Sequence, residues 1–253
     1  MTWRVVNASE VGTSHVGVNR PCEDSSWASV DVTSAGLEVL SIFVSDGAGS
    51  AARGGAGAEM AVQAAADFIA DKLSQPELGF SDELAVDLVA AVRERIYDAA
   101  GAEGLTARDF ACTLLGVISS KVGTVVLQVG DGGVVIDVGA GLEVPVVPMA
   151  GEYANMTHFV TDEDAITVLV TKLYETAASR VAVFSDGLQR LALNMATNTA
   201  HEPFFAPFFK VLAGAAEAQE DELQSALVRF LGSPAVNERT DDDKTLALAV
   251  QIA

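Results

Sequence analysis

Two Asp-Gly pairs each close an apolar run, Ser41-Ile-Phe-Val-Ser-Asp46-Gly47 and Val181-Ala-Val-Phe-Ser-Asp186-Gly187. An apolar run ending in Asp-Gly reads as a buried strand that carries a carboxylate to the rim of a sheet. Two such strands in one core bring two carboxylates together. At 4 Å and an effective dielectric of about 20, like charges repel by about 4 kcal/mol. A divalent cation relieves that repulsion, and carboxylate oxygens suit magnesium and manganese. Four more acidic positions extend the set. Glu23 and Asp24 follow Arg20-Pro-Cys, Asp131 lies in Val129-Gly-Asp-Gly132, and Asp242 lies in Thr240-Asp-Asp-Asp-Lys-Thr245. A hard-metal site with few protein ligands and several waters suits hydrolysis. Bound water becomes more acidic, and two ions can hold the attacking and leaving oxygens together.

Each piece has a plainer meaning when taken alone. A single strand-end Asp-Gly is usually a turn, a Glu-Asp pair is usually solvated surface, and residues 241–243 read as a charged loop. The order of the pieces along the chain carries the reading, together with the strand patterns beside them.

The elements that must position these groups follow from apolar periodicity. Residues 3–18 alternate weakly and predict one or two strands around Gly12, and residues 37–44 predict a strong strand that ends at Asp46. A small, Gly-rich stretch (48–57) opens a helical pattern over 58–73, which Pro76 and Gly79 break. A second helix is expected from a Ser81 N-cap to Ala100, giving an antiparallel pair. Strand signals return at 111–119, 124–129, 133–138, 144–147, 166–170 and 181–184. Helices are expected at 203–212 and 217–231, a loop at 232–243 and a last strand at 245–252. Strands and helix pairs that segregate in this way predict an antiparallel α+β architecture with helices on the sheet faces.

The chain has 253 residues, 50% of them hydrophobic, which suffices for one large core in a single domain over residues 1–253. Its formal charge of −20 argues against nucleic acid or anionic lipid as a partner, because phosphate backbones select basic surfaces. Cys22 and Cys112 match no zinc spacing, and no secretory signal precedes them, so a reduced, cytoplasmic chain is expected. No apolar stretch is long enough to span a bilayer.

In its ordered motifs the chain resembles the metal-dependent serine/threonine phosphatases of type 2C, over essentially its whole length. The matching pieces are Arg20 with Glu23-Asp24, Asp46-Gly47-Ala48-Gly49, Cys112-Thr113-Leu114-Leu115, Val129-Gly130-Asp131, Ser185-Asp186-Gly187 and Asp242-Asp243-Lys244-Thr245. The Gly-Thr-Ser-His and Pro-Cys-Glu-Asp wording is closest to a bacterial branch. The resemblance implies a β-sandwich of two antiparallel sheets, each covered by a helix pair. It implies two Mn2+ or Mg2+ ions, with a third possible. Asp46 would bridge two ions, Asp186 and Asp242 would ligate the first, and Glu23 and the Gly47 carbonyl would serve the second. Asp24 would hold metal-bound water, and Asp131 with Asp186 would form the optional third site. Arg20 would clamp phosphate, although it lies one position nearer the Glu-Asp pair than the family's arginine does.

Two further departures matter. Ala48 stands where animal members place a histidine as candidate general acid, and Arg190 stands where some members have another acidic residue. His15 is the nearest histidine to the acidic set, and it reads first as a structural residue and second as a proton donor. The function implied is hydrolysis of phosphoserine or phosphothreonine in proteins by a metal-bridged water or hydroxide, with no covalent phosphoenzyme. The partner would be a phosphoprotein substrate of a bacterial Ser/Thr kinase, with a monomer favoured. The competing reading is a catalytically silent phosphoprotein-binding or regulatory module of the same fold. Residues 139–164 are expected to form a flap over the site.

Overall fold

The computed structural model describes residues 2–75, 78–147 and 157–252. Two five-stranded sheets dominate it. One has the order β1-β12-β9-β6-β7, built from Thr2–Glu10, Lys244–Ile252, Arg180–Phe184, Gly133–Asp137 and Leu142–Glu143. The other has the order β2-β3-β4-β5-β8, built from Asp24–Val32, Glu38–Asp46, Leu114–Ser120, Gly123–Val129 and Val170–Tyr174. All pairings in both sheets are antiparallel. A two-stranded ribbon, β10 (Leu193–Asn194) with β11 (Thr199–Ala200), stands apart.

Side chains alternate between faces along a strand. Leu40, Ile42 and Val44 of β3 meet Val134 and Ile136 of β6, Val181 and Val183 of β9, and Ala247 and Ala249 of β12 between the two sheets. Val39 and Phe43 of β3 point the other way, into a core closed by two long helices, Gly54–Leu73 and Asp82–Glu103. On the opposite side, Ala182 and Phe184 of β9 and Leu246 and Leu248 of β12 pack under the helices Glu202–Gly214 and Glu220–Leu231. The layers therefore run helices, sheet, sheet, helices. The central strands are buried on both faces, which explains their nearly continuous apolar sequences.

The expected α+β sandwich is thus the observed one, with local corrections. Thr13–Val16 forms a single helical turn, where a strand was expected around Gly12. Its backbone is captured by the distant 241–243 segment through Ser14 N donating to the Asp241 carbonyl at 2.9 Å. The reading of residues 166–170 as strand gives way to a helical turn at Ala165–Val168, and the strand begins at Val170. Residues 144–147 form no strand; the pairing there is confined to Leu142–Glu143. The whole of β2 went unpredicted. Pro76 lies outside the described residues, as do residues 148–156 of the expected flap.

Candidate metal centre

Strand ends deliver the acidic groups to one rim. Asp46 is the last residue of β3 and Asp24 the first of β2, and the two are register partners. Asp186 opens a 3-10 turn directly beyond β9, and Asp242 and Asp243 immediately precede β12. Asp131 follows β5 in a Gly-Asp-Gly turn whose glycines, Gly130 and Gly132, take φ of +103° and +105°. Such angles strain any residue with a Cβ, which explains the glycine on either side. Gly187 has another reason to be glycine: a Cβ there would lie 2.0 Å from the Asp243 carbonyl oxygen. That close approach seats the Asp186 turn against the Asp242–Asp243 backbone.

The result is a cleft of about 290 Å³, lined by Asp46, Gly47, Asp131, Asp186, Asp242 and Asp243, with His15 and Thr113 among its walls. Thr113 fixes the Asp46 backbone: its Oγ1 accepts from the Asp46 N–H at 2.9 Å, and its own N–H donates to the Asp46 carbonyl at 2.9 Å. Asp24 is buried behind the cleft. Its Oδ2 accepts from Ser185 Oγ at 2.6 Å and from Thr245 Oγ1 at 2.8 Å. Thr157 Oγ1 donates to Asp131 Oδ2 at 2.7 Å, so the start of the 157–164 segment reaches the cleft.

Glu23 and Arg20 stand beside this cleft and are not among the residues that line it. Arg20 Nη2 contacts both Glu23 carboxylate oxygens at 2.7 Å, and Nη1 donates to the Gly49 carbonyl at 3.3 Å. The guanidinium that the family resemblance would place on phosphate is here paired with the proposed ligand Glu23. Arg190 is exposed.

Electrostatics mark the centre as unfavourable without a cation. Burial raises the Asp46 carboxyl well above the usual range, and Asp24 and Asp186 add to this. Burial likewise pushes Asp24 up to about 7, with repulsion from Asp243 and Asp186, against the opposing hydrogen bonds of Ser185 and Thr245. Asp186 is pushed up to about 6 by burial and by Asp131 and Asp242. Asp242 is also raised, by partial desolvation among the neighbouring carboxylates and by repulsion from Asp243 and Asp241. Asp24 Oδ1 and Asp186 Oδ1 are buried with no hydrogen-bond partner among the described residues. Buried acceptors without donors are costly. An all-oxygen donor set with unpartnered carboxylate oxygens and mutually raised carboxyls fits divalent hard cations.

Sequence reasoning missed Asp243. This residue is 4% exposed, and it ties together the N-terminal segment. Its Oδ1 accepts from Gly12 N and its Oδ2 from Glu23 N, both at 2.6 Å, and Oδ2 lies 3.0 Å from His15 Nδ1. An Asp-Asp-Asp run has no feature that separates this buried anchor from its neighbours. A second cluster, His158 with Asp162 and Asp164, also escaped notice; its candidate ligand atoms lie within 4.8 Å of one another. Cys22 and Cys112 are both free thiols. Burial pushes Cys112 up to about 12 and raises Cys22 as well, so neither is activated as a nucleophile.

Known proteins resemble the chain along nearly its whole length. The chain is 54% identical over 250 residues to the serine/threonine-protein phosphatase 3 of Escherichia coli K12, covering 99% of both chains. Its fold is shared with the serine/threonine phosphatase of S. agalactiae, at a TM-score of 0.62 and 14% identity, over 98% of this chain and 99% of that one. It is shared equally with the catalytic domain of the phosphatase PstP, solved with two manganese ions, at a TM-score of 0.62 and 16% identity over 99% of both chains. Residues 11–232 match the protein phosphatase 2C family. The chain belongs to the protein phosphatase 2C family.

Proposed function

We propose that the chain is a metal-dependent serine/threonine protein phosphatase and that its whole length forms one catalytic domain. The observation that carries this reading is the convergence of Asp46, Asp131, Asp186 and Asp242 on one cleft, backed by the buried Asp24. The likeness to the E. coli phosphatase along nearly the full chain supports the substrate class. So many acidic groups without a cation would repel a phosphate dianion, which weighs against a phosphoprotein-binding module that lacks catalysis.

Asp46, Asp186 and Asp242 would hold one ion, and Asp46, the Gly47 carbonyl and Glu23 a second, with manganese or magnesium the fitting metals. Asp131 with Asp186 offers a third position. Such ions, when bound, neutralise phosphoryl oxygens and supply an acidified water. The chain's own residues orient and exclude. Thr113 fixes the Asp46 backbone, and Ser185 and Thr245 fix the Asp24 carboxylate behind it. Arg20 is the guanidinium nearest the proposed ligands, and it would engage phosphate by leaving its pairing with Glu23. The phosphorylated side chain enters the open cleft, and residues 157–164 stand at its edge through Thr157 and Phe159. The substrate would be a phosphoprotein made by a bacterial Ser/Thr kinase, and the site of action cytoplasmic. Among the described residues no helix is long and apolar enough to cross a membrane.

The test is phosphate release from a phosphothreonine peptide and from a small aryl phosphate, with Mn2+, with Mg2+ and with chelator. Metal-dependent turnover of both is expected. Metal that raises the melting temperature without any turnover would favour the silent module.

A further inference from the structure

We propose that His15, oriented by Asp243, is the general acid that protonates the leaving serine or threonine oxygen; this rests on the phosphatase reading above. The leaving alkoxide is strongly basic, so its departure calls for a proton donor within reach. The side chains that line the cleft are mostly carboxylates, which are ionised when they hold cations, and hydroxyls, which are weak acids. His15 is the one imidazole among the described residues lining it, and an imidazole can carry a donatable proton near neutral pH. Ala48, on the same wall, has only a methyl group.

The placement of His15 is built rather than incidental. Its one-turn helix is fastened to the 241–243 segment at both backbone and side chain. Ser14 N and Ser14 Oγ donate to the Asp241 carbonyl at 2.9 and 2.7 Å, and Gly12 N donates to Asp243. Arg20 N closes the turn on the His15 carbonyl at 2.9 Å. Gly12 is required for this contact, since a Cβ there would lie 2.4 Å from the Asp242 carbonyl carbon. The buried Nδ1 lies 3.0 Å from Asp243 Oδ2, a close approach without hydrogen-bond geometry, and it makes no hydrogen bond among the described residues. A carboxylate facing Nδ1 favours placing a proton on that nitrogen, so the proton available for transfer is the one on Nε2. No hydrogen bond engages Nε2 among the described residues, and His15 lines the cleft. Asp243 is thus the positioning residue, and His15 the group that meets substrate.

In the step, the oxygen of water bonds to phosphorus as the phosphorus–oxygen bond to the side chain breaks. The electron pair of that bond leaves with the serine or threonine oxygen, which takes the proton from His15 Nε2. The attacking water gives up one proton, which restores the imidazolium over the cycle. The sum is phosphate ester plus water giving alcohol plus hydrogen phosphate.

The test compares wild type with His15→Asn, whose amide can still donate to Asp243, on phosphate esters of rising leaving-group pKa. The series runs from a nitrophenyl phosphate to a phosphoserine peptide, in Mn2+. General acid catalysis contributes ~10²–10⁴-fold where the leaving group is poor. The variant is therefore expected to lose about 100-fold in kcat on the phosphoserine peptide and far less on the nitrophenyl ester. A loss of equal size across the series, or none on the peptide, would overturn the assignment. Nitrogen-15 NMR of the imidazole supplies a second readout: Asp243→Asn should shift the His15 ring away from the Nδ1–H tautomer, and an unchanged tautomer would also count against the dyad. If the wild type turned over no ester at all, the phosphatase reading itself would fall.

Discussion

Asp24 and Asp46 face each other across the β2–β3 ladder, two carboxylates in register at adjoining strand ends. Like charges directly opposite one another destabilise a sheet. The fold nevertheless invests two hydroxyls, Ser185 and Thr245, in holding Asp24 in place. The pairing makes sense if the rim is arranged for cations and accepts a local cost in their absence.

That cost should be visible in a pH dependence. In the folded chain without metal, Asp24 and Asp186 are pushed up to about 7 and about 6, above the ordinary 3.8. Between these limits the folded state binds more protons than the unfolded state, so stability falls as pH rises through the window. Chelated protein should therefore melt at a higher temperature at pH 5 than at pH 8, and Mn2+ should flatten or reverse the trend. Thermal denaturation across that range with and without metal would check it.

Asp24→Asn separates stability from function. The amide oxygen can still accept from Ser185 and Thr245, while one buried negative charge disappears. The metal-free variant should melt higher than wild type by several degrees, yet release phosphate more slowly in saturating Mn2+. A variant less stable than wild type without metal would contradict the repulsion described for this pair.

Asp243→Ala should be costly even though it removes one negative charge from an acidic chain. It strands the N–H groups of Gly12 and Glu23, each bonded at 2.6 Å, and removes the partner of His15. Unsatisfied buried donors cost about 1–3 kcal/mol each. A loss of about 3 kcal/mol, or roughly 6–12 °C in melting temperature for a chain of this size, is expected. Faster amide exchange at residues 12–23 would localise the effect.

Gly187→Ala tests how tightly the Asp186 turn is seated. The new methyl would collide with the Asp243 carbonyl, whose oxygen lies 2.0 Å from that position. Backbone must shift to relieve it, which moves Asp186 and Asp242 apart. Weaker Mn2+ binding by calorimetry is expected together with lower stability, whereas Gly139→Ala, at a position with open space but φ of +112°, should affect stability alone.

Much of this arrangement was legible in the sequence, for identifiable reasons. The strands β3, β4, β5, β9 and β12 are buried on both faces, so their apolar runs are long and their Asp-bearing ends are distinct. By contrast β2, Asp-Ser-Ser-Trp-Ala-Ser-Val-Asp-Val, is an edge strand with one half-wet face, and its polar alternation gave no comparable signal. The helical turn at Thr13–Val16 exists because of tertiary hydrogen bonds to Asp241 and Asp243, which no local pattern contains. Asp46 and Asp186 were readable because each closes an apolar run, and Asp242 because it completes the ordered set of motifs. Asp243 was not, since burial alone distinguishes it from Asp241 and Asp242.

The central claim is that the clustered carboxylates work by holding divalent cations for phosphoester hydrolysis, with Asp46 at their centre. The most direct measurement is phosphate release from a phosphothreonine peptide by wild type and Asp46→Asn in Mn2+, alongside calorimetric Mn2+ binding. Metal assistance is worth several kcal/mol, so turnover should fall by about 10²–10³-fold or more, with weaker Mn2+ binding and an intact fold. Undiminished turnover in a folded Asp46→Asn variant, or equal Mn2+ affinity in the two proteins, would contradict the account.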